Sequence, residues 1–578
     1  MSEHSTAIGR PIRIGNCSGF YGDRLSAMRE MLEGGELDVL TGDYLAELTM
    51  LILGRDQLRA PSLGYARTFV RQAEDCLGLV VERGVRIVSN AGGLNPQSLA
   101  ERLSEIATGL GLSPVVAWVG GDNLLPRAAQ LGWDDALTAN AYLGGFGIAT
   151  ALRAGADVVV TGRVADASLV VGPAVHHFGW SPTSYDELAG AVAAGHILEC
   201  GTQATGGNFS GFLDLARDGT PLGFPLAEVA ADGSAIITKH DGTGGIVSVD
   251  TVTAQLLYEV QSSRYLGPDV TLDLASIALV DAGTDRVRVS GALGEPPPAR
   301  LKVCLNELGG WRNQTELVLA GMDVDAKADW VRCQLDARLQ PRPASVEWTL
   351  GRLPEEDAAT EEAASCLLRC TVKDAAAEVV GKGFSASVVE LALASYPGFT
   401  LTAPPRAGTP YGIFRAKYVD REQVTEEVHV IGRDEVLTVA QPSVTADARG
   451  ELVETIVTSA PASTTTRSLP LGSFVYARSG DKGGDANLGL WVRQGPRWQA
   501  RVDWLLTMVT PGRIRDLVPE ARLLEVEVYP LPNLGGVNVL MRGLLGDGVA
   551  ASTRFDPQAK ALGEWVRSRL VDIPEELL

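Results

Sequence analysis

Short apolar runs alternate with glycine- and asparagine-rich loops and with amphipathic stretches over residues 11–261. The runs have the length of buried strands, and the apolar residues of the stretches recur with the period of a helix. Alternation of this kind is typical of βα units that build a parallel sheet. The sequence therefore predicts an α/β fold with a large Rossmann-like parallel sheet in its N-terminal part.

Five of the predicted strands each end at a polar loop. They cover residues 13–17, 37–40, 85–89, 115–119 and 157–160. In open α/β sheets, ligands bind in the crevice outside the carboxyl ends of the strands. We therefore expect these loops to line one cleft.

The pattern loosens beyond residue 270, where strand-like runs and helical patterns no longer alternate regularly. Helices are predicted at 325–339 and from 357 onward. We predict that one large domain covers residues 11–458.

The last part of the chain has a different organisation. Residues 459–470 include a run of small polar residues, which is typical of a linker. Residues 471–578 then show the order ββαββα, with helices predicted at 504–515 and 557–570. This order predicts a small ferredoxin-like α+β domain, in which helices cover one face of an antiparallel sheet.

The amino-acid composition limits the classes of binding partner and the cellular compartment that we expect for this protein. The chain has 71 acidic and 50 basic side chains and a formal charge of −21, which repels nucleic acid and anionic membranes. It shows neither a signal peptide nor an apolar run long enough to span a bilayer, so we expect a cytoplasmic protein. Its seven cysteines form no Cys-x-x-Cys pair, and its histidines match no metal motif, so no metal site is predicted.

Glycines at the strand ends can bring backbone N–H groups close to a ligand. The candidate substrate-binding residues of this kind are Ser18, Gly19 and Asp23, then Asn90, Gly92 and Gly93, and further along Gly206, Gly207 and Asn208. The same residues are also common in tight turns that bind nothing, and this alternative stays open. Neither a dinucleotide-binding nor a P-loop motif is present, and no cofactor is predicted.

Ionisable residues occur in two loops of the large domain. Arg163 can grip a carboxylate or phosphate, and Asp166 can act as an acid or base; alternatively, the two form a salt bridge that fastens their loop. Lys239, His240 and Asp241 precede a glycine turn, and His240 beside Asp241 suits a general base. Neighbouring side chains on an extended chain point to opposite faces, so at most two of these three should share the cleft.

A further charged loop lies in the small domain. It contains Arg478, Asp481 and Lys482 among three glycines, which is more than a two-residue hairpin turn requires. We predict that Asp481 and Lys482 take part in catalysis, that Arg478 binds substrate, and that the loop closes over the cleft. The alternative is that these charges only keep the loop in solvent.

Several motifs together resemble a known family. IGNCSGFYGDR at 14–24, LTGDYLAE at 40–47, VTGRVAD at 160–166 and KHDG at 239–242 resemble the acyclic terpene utilization (AtuA) family. RSGDKG at 478–483 is similar to the ferredoxin-fold domain often fused to it. The resemblance covers nearly the whole chain. It implies a role in breaking down acyclic isoprenoids, whose intermediates are branched acyl-CoA thioesters, but it implies no role for any single residue.

The predicted function combines these signals. We expect a homo-oligomeric enzyme acting on a small molecule, an acyl-CoA or branched carboxylic acid, with lyase or hydratase chemistry beside the carbonyl. In this hypothesis His240 with Asp241 or Asp166 moves protons, while Arg163, Lys239 or Lys482 grips anionic groups. The amides of Gly92 and Gly93 or of Gly206 and Gly207 would hold the enolate. The alternatives are a non-catalytic acyl-CoA-binding or scaffold subunit, and a biosynthetic enzyme acting on a different acid.

Overall fold

The computed structural model describes residues 9–446 and 465–578. These residues form two compact units. The first consists of the described parts of Met1–Asn306, Phe414–Val549 and Asp556–Leu578, and the second consists of Glu307–Ile413 and Ala550–Phe555.

The elements up to residue 256 follow the predicted βα alternation. The strands are β1 (Ile12–Asn16), β2 (Val39–Gly42), β3 (Arg86–Ser89), β4 (Val116–Gly120), β5 (Ala136–Ala141), β6 (Val158–Thr161), β7 (Pro225–Val229) and β8 (Ala235–Lys239). The helices are α1 (Ala27–Gly34), α2 (Glu47–Arg59), α3 (Arg67–Arg83), α4 (Pro96–Gly109), α5 (Phe146–Arg153), α6 (Ser168–Phe178), α7 (Tyr185–Leu198) and α8 (Val249–Leu256).

The middle of the chain is richer in strands. They are β9 (Arg264–Leu266), β10 (Thr271–Asp273), β11 (Ala278–Asp281), β12 (Val287–Ser290), β13 (Leu293–Glu295), β14 (Arg300–Ala320), β15 (Ser345–Leu350), β16 (Ser365–Asp374), β17 (Thr400–Leu401), β18 (Thr409–Asp420), β19 (Glu427–Val430) and β20 (Val436–Thr438). Two helices, α9 (Val324–Arg338) and α10 (Lys382–Val389), lie among them.

The large sheet has a parallel centre and antiparallel flanks. Its order is β11-β12-β8-β7-β1-β2-β3-β6-β4-β19-β20, and β1, β2, β3, β6 and β4 pair in parallel. The predicted α/β fold is therefore confirmed, and the sheet as a whole is mixed. β7 and β8 are joined by only five residues, and so short a connection permits only antiparallel pairing.

Helices cover both faces of the parallel centre. Val158 and Val160 of β6 pack into a core with α1, α3 and α4, whereas Val159 packs into a core with α5, α6 and α7. Successive side chains of a strand point to opposite faces, so a strand of valines supplies both cores. This arrangement directs all the parallel strands toward the same edge, where their loops meet.

The small domain contains an antiparallel sheet of order β22-β23-β25-β24, next to a two-stranded ribbon β21-β26. Its strands are β21 (Thr466–Pro470), β22 (Val475–Lys482), β23 (Asp485–Val492), β24 (Val526–Leu531), β25 (Gly536–Met541) and β26 (Leu570–Pro574). Its helices are α11 (Trp498–Met508), α12 (Pro511–Leu517) and α13 (Leu562–Ser568). The predicted α+β domain is confirmed.

Three local predictions differ from the structure. The helix predicted at 504–515 is two helices that divide before Pro511, because the residue before a proline disfavours helical backbone angles. Residues 459–464 of the predicted linker lie outside the described residues, while 466–470 form β21. The helix predicted from 357 onward is wrong, since 365–374 form strand β16.

The second unit is built on a sheet of order β15-β16-β14-β17, with α9 and α10. Leu368, Cys370 and Val372 of β16 are buried together with Leu335 of α9 and Phe384 of α10. Across residues 9–446 and 465–578, no helix is both long and apolar enough to cross a membrane.

Candidate functional site

A group of charged side chains lies at the carboxyl edge of the parallel strands. We call it the acidic cluster; its members are Asp43, Glu47, Arg163, Asp166, Glu199, Glu259, Asp481 and Lys482. Asp43 and Glu47 follow β2, and Arg163 and Asp166 follow β6. Because strands β2 and β6 run in parallel in one sheet, their loops share that edge.

Arg163 is the buried cation of the cluster, at 2% exposure. Its Nη1 donates to Asp166 Oδ1 at 2.9 Å and to the Leu45 carbonyl at 3.3 Å. Its guanidinium group lies 4.3 Å from the centre of the Tyr142 ring. The salt bridge that was the alternative interpretation of Arg163 and Asp166 therefore exists, inside the candidate site.

Asp43 is buried beside Asn90, one of the predicted binding residues. Asn90 Nδ2 donates to Asp43 Oδ1 at 2.6 Å, and Asn90 Oδ1 accepts from the Tyr44 amide at 2.8 Å. Burial raises the pKa of Asp43 well above its ordinary value, and the charge of Asp166 raises it further. Asn90 thus holds in place a carboxyl group whose pKa is raised.

The small domain contributes residues from β22. Burial raises the pKa of Asp481 well above its ordinary value, and the nearby charges of Glu259 and Glu47 add to this effect. Lys482 acts in the opposite direction, because its charge lowers the pKa of both Asp166 and Glu47. The charges of this loop therefore act on residues of the acidic cluster, while its closure over a bound substrate stays a prediction.

Arg478 connects β22 to two other segments of the site, at Tyr258 and at 203–208. Its guanidinium group lies 4.0 Å from the centre of the Tyr258 ring, donates to Gln203 Oε1, and reaches the Asn208 carbonyl at 3.4 Å. Arg478 is 4% exposed, so these contacts are formed away from bulk solvent. The structure thereby joins β22 to the loop at Asn208.

The carboxyl groups of the cluster differ in proton affinity. Burial raises the pKa of Asp166, although Arg163 and Lys482 oppose this effect. Burial also acts to raise the pKa of Glu47, but the charges of Lys302, Lys482 and Arg163 outweigh it and bring that pKa below its ordinary value. Environments that separate the pKa values of neighbouring groups distinguish acids and bases from fixed charges.

Glu199 forms a pair with His196 at the end of α7. His196 Nδ1 lies 2.9 Å from Glu199 Oε1, and both residues are buried. Burial raises the pKa of Glu199, against the effect of His196. Burial also raises the pKa of the Cys200 thiol well above its ordinary value, which argues against a nucleophilic thiolate at this position.

Several buried polar atoms of this region have no hydrogen-bond partner among the described residues. They are Arg163 Nε, Arg478 Nε, Glu199 Oε2, His196 Nε2 and Tyr142 Oη. Buried polar atoms in proteins are nearly always paired. These five atoms can therefore form hydrogen bonds with polar atoms of a ligand or with water. The described residues include no group of three metal-ligating side chains.

The predicted residues of the first loop support the site from outside. Asp23 accepts from the amides of Gly19 at 2.8 Å and Arg24 at 2.7 Å, and Ser18 Oγ donates to the Phe20 carbonyl. A Cβ on Gly19 would lie 2.7 Å from the backbone carbon of Cys200. These hydrogen bonds stabilise a turn that packs against the segment containing Glu199. A tight turn was the alternative interpretation of this loop.

The glycine amides proposed to hold an enolate are largely engaged elsewhere. Gly93 N donates to Asn90 O at 3.1 Å, Gly206 N to Gln203 O at 3.2 Å, and Gly207 N to Thr202 O at 2.9 Å. A Cβ on Gly92 would lie 2.4 Å from the Thr161 carbonyl oxygen, so that glycine permits close packing. These four residues make turns, and the oxyanion role predicted for the amides of Gly93, Gly206 and Gly207 is not supported.

The structure does not bring Lys239, His240 and Asp241 into the acidic cluster. His240 Nε2 lies 3.0 Å from the Met31 carbonyl, and its ring packs on the glycines that end α1. Lys239 Nζ donates to the Thr243 carbonyl and pairs with Asp285, while Asp241 is exposed. The physical reason is position, because β8 is separated from β1 by β7. Burial lowers the pKa of His240, and a neutral imidazole fits this buried contact.

Sequence reasoning missed other members of the site. Asp43 and Glu47 stand in a polar loop directly after a predicted strand, so the rule that selected Arg163 and Asp166 would have found them. Glu259 and Lys302 carry no such signal. Lys302 lies in β14 and reaches Glu47 at 3.7 Å only through the folded chain.

A cavity of about 590 Å³ lies at the opposite edge of the sheet, where β1 and β2 begin. Its charged lining includes Arg10, Asp38 and Arg86. Arg10 pairs with Asp38, and Arg86 contacts His176 at 3.1 Å. These cations are already engaged, so we place the candidate site at the acidic cluster.

Comparison with protein families agrees with this architecture. The model of the acyclic terpene utilisation family protein AtuA matches residues 12–430. The chain belongs to the AtuA family. The model of the AtuA ferredoxin-like domain matches residues 469–572, which include β22 to β25. No curated protein matches the chain. Family membership links this AtuA protein to acyclic terpene utilisation and leaves its reaction open.

The AtuA domain also contains a second group of buried acids, near the carboxyl end of β4, where Glu427 pairs with Gly120. Asp269 Oδ2 accepts from the Gly145 amide at 2.7 Å, and Arg421 donates to two backbone carbonyls nearby. Burial raises the pKa of Glu426 to about 8, and the charge of Asp269 adds to this effect. Burial raises the pKa of Asp269 to about 6.

We expect Glu426→Gln to reduce the loss of stability of this AtuA protein at alkaline pH. The pKa of Glu426 is raised in the folded state, so the folded protein binds this proton more tightly than the unfolded chain does. The resulting stability is present below the unfolded value of about 4.3 and is lost as pH rises through about 8. At pH 9 the variant should be more stable than the parent by about 1–3 kcal/mol. Melting curves between pH 5 and 9 test this, with the exposed Glu435→Gln as control; equal pH dependence in parent and Glu426→Gln would contradict it.

Proposed function

We propose that this protein is an enzyme of acyl-CoA or branched carboxylic acid metabolism in acyclic terpene utilisation. The proposed chemistry is the addition or removal of water beside a thioester carbonyl. The observation that carries the proposal is the meeting of two carboxyl groups with raised pKa, Asp166 and Asp481, with the cations Arg163 and Lys482.

The charge of the cluster suits an anionic substrate. Burial raises the pKa of Asp43 and of Asp481 well above their ordinary values, which favours the protonated form of each. The cations of this region are Arg163, Lys302, Arg478 and Lys482, and they face the carboxylates of Glu47 and Glu259. These cations can bind a ligand that carries a carboxylate, a phosphate or a developing enolate charge.

Dehydration of a 3-hydroxyacyl thioester illustrates the roles. Asp166 accepts the proton from the carbon next to the carbonyl, since a raised pKa brings a carboxylate nearer the value suited to a base at neutral pH. Asp481 donates its proton to the departing hydroxyl, which leaves as water. Arg163 and Lys482 stabilise the negative charge on the thioester oxygen. Hydration follows the same steps in reverse, so no external oxidant or reductant is needed.

A direct assay tests this function. The purified full-length protein is incubated with methyl-branched enoyl-CoA and 3-hydroxyacyl-CoA thioesters, and the absorbance of the conjugated thioester is followed. We expect interconversion of the two substrates. The absence of turnover with either would contradict the proposal, and binding without turnover would favour an acyl-CoA-binding subunit instead.

A further inference from the structure

Glu259 has an unusual backbone conformation. It follows α8 and has a φ of +56°, in the left-handed region that residues with a side chain rarely adopt. Such a conformation costs about 1–2 kcal/mol and persists where the surrounding structure imposes it. Non-glycine residues in the left-handed conformation cluster at functional sites.

Two buried asparagines of the small domain hold this turn. Asn487 Oδ1 accepts from the Glu259 amide at 2.7 Å, and Asn487 Nδ2 donates to the Val260 carbonyl at 3.3 Å. Asn538 Nδ2 donates to the same carbonyl at 3.2 Å and also bonds Asn487. Both asparagines are 0% exposed. β23 and β25, which carry them, are neighbouring strands of the small sheet.

The carboxylate of Glu259 acts on much of the acidic cluster. Its charge raises the pKa of Asp166, Glu199, Cys200, Tyr258, Tyr265 and Asp481. On these groups its effect is opposed by the cations Arg163, Arg478, Lys482 and Lys560, and on Glu199 by His196. The effect on Asp481 is second only to that of burial.

We propose that Asn487 and Asn538 are positioning residues, which hold Glu259 in its left-handed turn and thereby set the charge environment of Asp481 in the acidic cluster. The small domain then supplies the acid and also maintains its charge state. This inference rests on the proposed function for the role of Asp481, whereas the coupling of Glu259 to Asp481 is measurable without any substrate.

The physical basis is repulsion between two like charges. Ionisation of Asp481 would place a second carboxylate near Glu259 in a buried site, which is unfavourable. Removing the charge of Glu259 removes this cost, so Asp481 should lose its proton at a lower pH. If the turn at Glu259 only stabilised the fold, removing the charge of Glu259 would not change the pH at which Asp481 loses its proton.

Two substitutions at Glu259 separate these roles. Glu259→Gln removes the charge and keeps the shape, and Glu259→Gly removes the side chain and suits the positive φ. We expect Glu259→Gly to melt at a higher temperature than the parent, because the strain is relieved. We expect both variants to shift the alkaline limb of the pH–rate profile to lower pH by about one unit, and to lose about tenfold in rate above it.

A double-mutant cycle gives the readout without substrate. Melting temperatures from pH 5 to 9 are compared for the parent, Glu259→Gln, Asp481→Asn and the double variant. The melting temperature of Glu259→Gln should depend less on pH than that of the parent. In the Asp481→Asn background, Glu259→Gln should not change the pH dependence of the melting temperature further. Purely additive effects in the cycle would overturn the proposal.

Asn487→Ala tests the positioning step, with Asn533→Ala as a matched control. Asn533 is also in the small domain and donates to the carbonyls of Leu274 and Ile277 at 2.9 and 2.8 Å, away from Glu259. Asn487→Ala should change the pH dependence as Glu259→Gln does, and Asn533→Ala should not. If Asn487→Ala fails to fold, the cycle at Glu259 still decides. If the melting temperatures show coupling between Glu259 and Asp481 but the acyl-CoA assay shows no turnover, the proposed function is wrong and the Glu259–Asp481 interaction is still supported.

Discussion

Asp166→Asn is expected to lower kcat/KM for branched acyl-CoA substrates by about 10²- to 10⁴-fold, the range typical of a lost general acid or base. Asparagine has nearly the same shape and cannot accept a proton from carbon. It can still accept a hydrogen bond from Arg163, which now bonds Asp166 at 2.9 Å. Steady-state kinetics and melting curves of the two proteins together separate a chemical effect from an unfolded site.

Two variants serve as controls for Asp166→Asn. Asp434→Asn alters an exposed aspartate and should leave the rate unchanged. His240→Ala tests the placement inferred from the structure, because this histidine packs against α1 and should tolerate loss of its ring with little change in kcat. A loss in His240→Ala as large as in Asp166→Asn, or a loss below threefold in Asp166→Asn, would contradict the assignment of the site.

Arg163→Met is expected to lower the free energy of unfolding by about 2–3 kcal/mol, since it removes the buried, charged donor of an ion pair and leaves its acceptors unpaired. The side chain is 2% exposed and supports both Asp166 and the Leu45 carbonyl. Methionine has similar length but no donors, so these acceptors would lose their partner. Denaturant titration measures the effect, and kcat/KM should fall as well, because Asp166 and the substrate oxygen lose the same cation.

Arg352→Met is the matched control for Arg163→Met. Arg352 pairs with Glu355 at the surface and its side chain is 81% exposed, so its replacement should change stability by less than about 1 kcal/mol. Arg163→Lys should lie between parent and Arg163→Met, since a lysine keeps the charge but not the fork of donors. Equal stability of Arg163→Met and Arg352→Met would contradict the role given to Arg163.

The parallel centre of the fold could be predicted from the sequence because its signals are local. A strand such as β6 is apolar throughout and is followed by a polar loop and an amphipathic helix. The flanks could not be predicted in this way. β19 pairs with β4 although some three hundred residues separate them, and no local pattern reports such a pairing. The prediction of secondary structure in the second unit failed for a related reason. β16 is stabilised by long antiparallel pairing with β14, and no local pattern reports that pairing.

The candidate site was predictable where its residues follow a strand directly. Arg163, Asp166 and Asn90 were found by this rule, and Asp481 and Lys482 by an excess of charge in a hairpin. His240 meets the same rule, but its strand lies toward the flank and its ring packs on α1. Glu259 could not be found, because its orientation depends on Asn487 in another domain.

We expect one substrate molecule to bind at the acidic cluster, in contact with residues from both the large and the small domain. A crystal structure of the full chain with a methyl-branched enoyl-CoA bound tests this most directly. We expect the thioester oxygen within hydrogen-bond distance of Arg163 or Lys482, with Asp166 and Asp481 beside the reacting carbons. An acyl group that contacts none of these four residues, for example one bound in the cavity lined by Arg10 and Arg86, would contradict it.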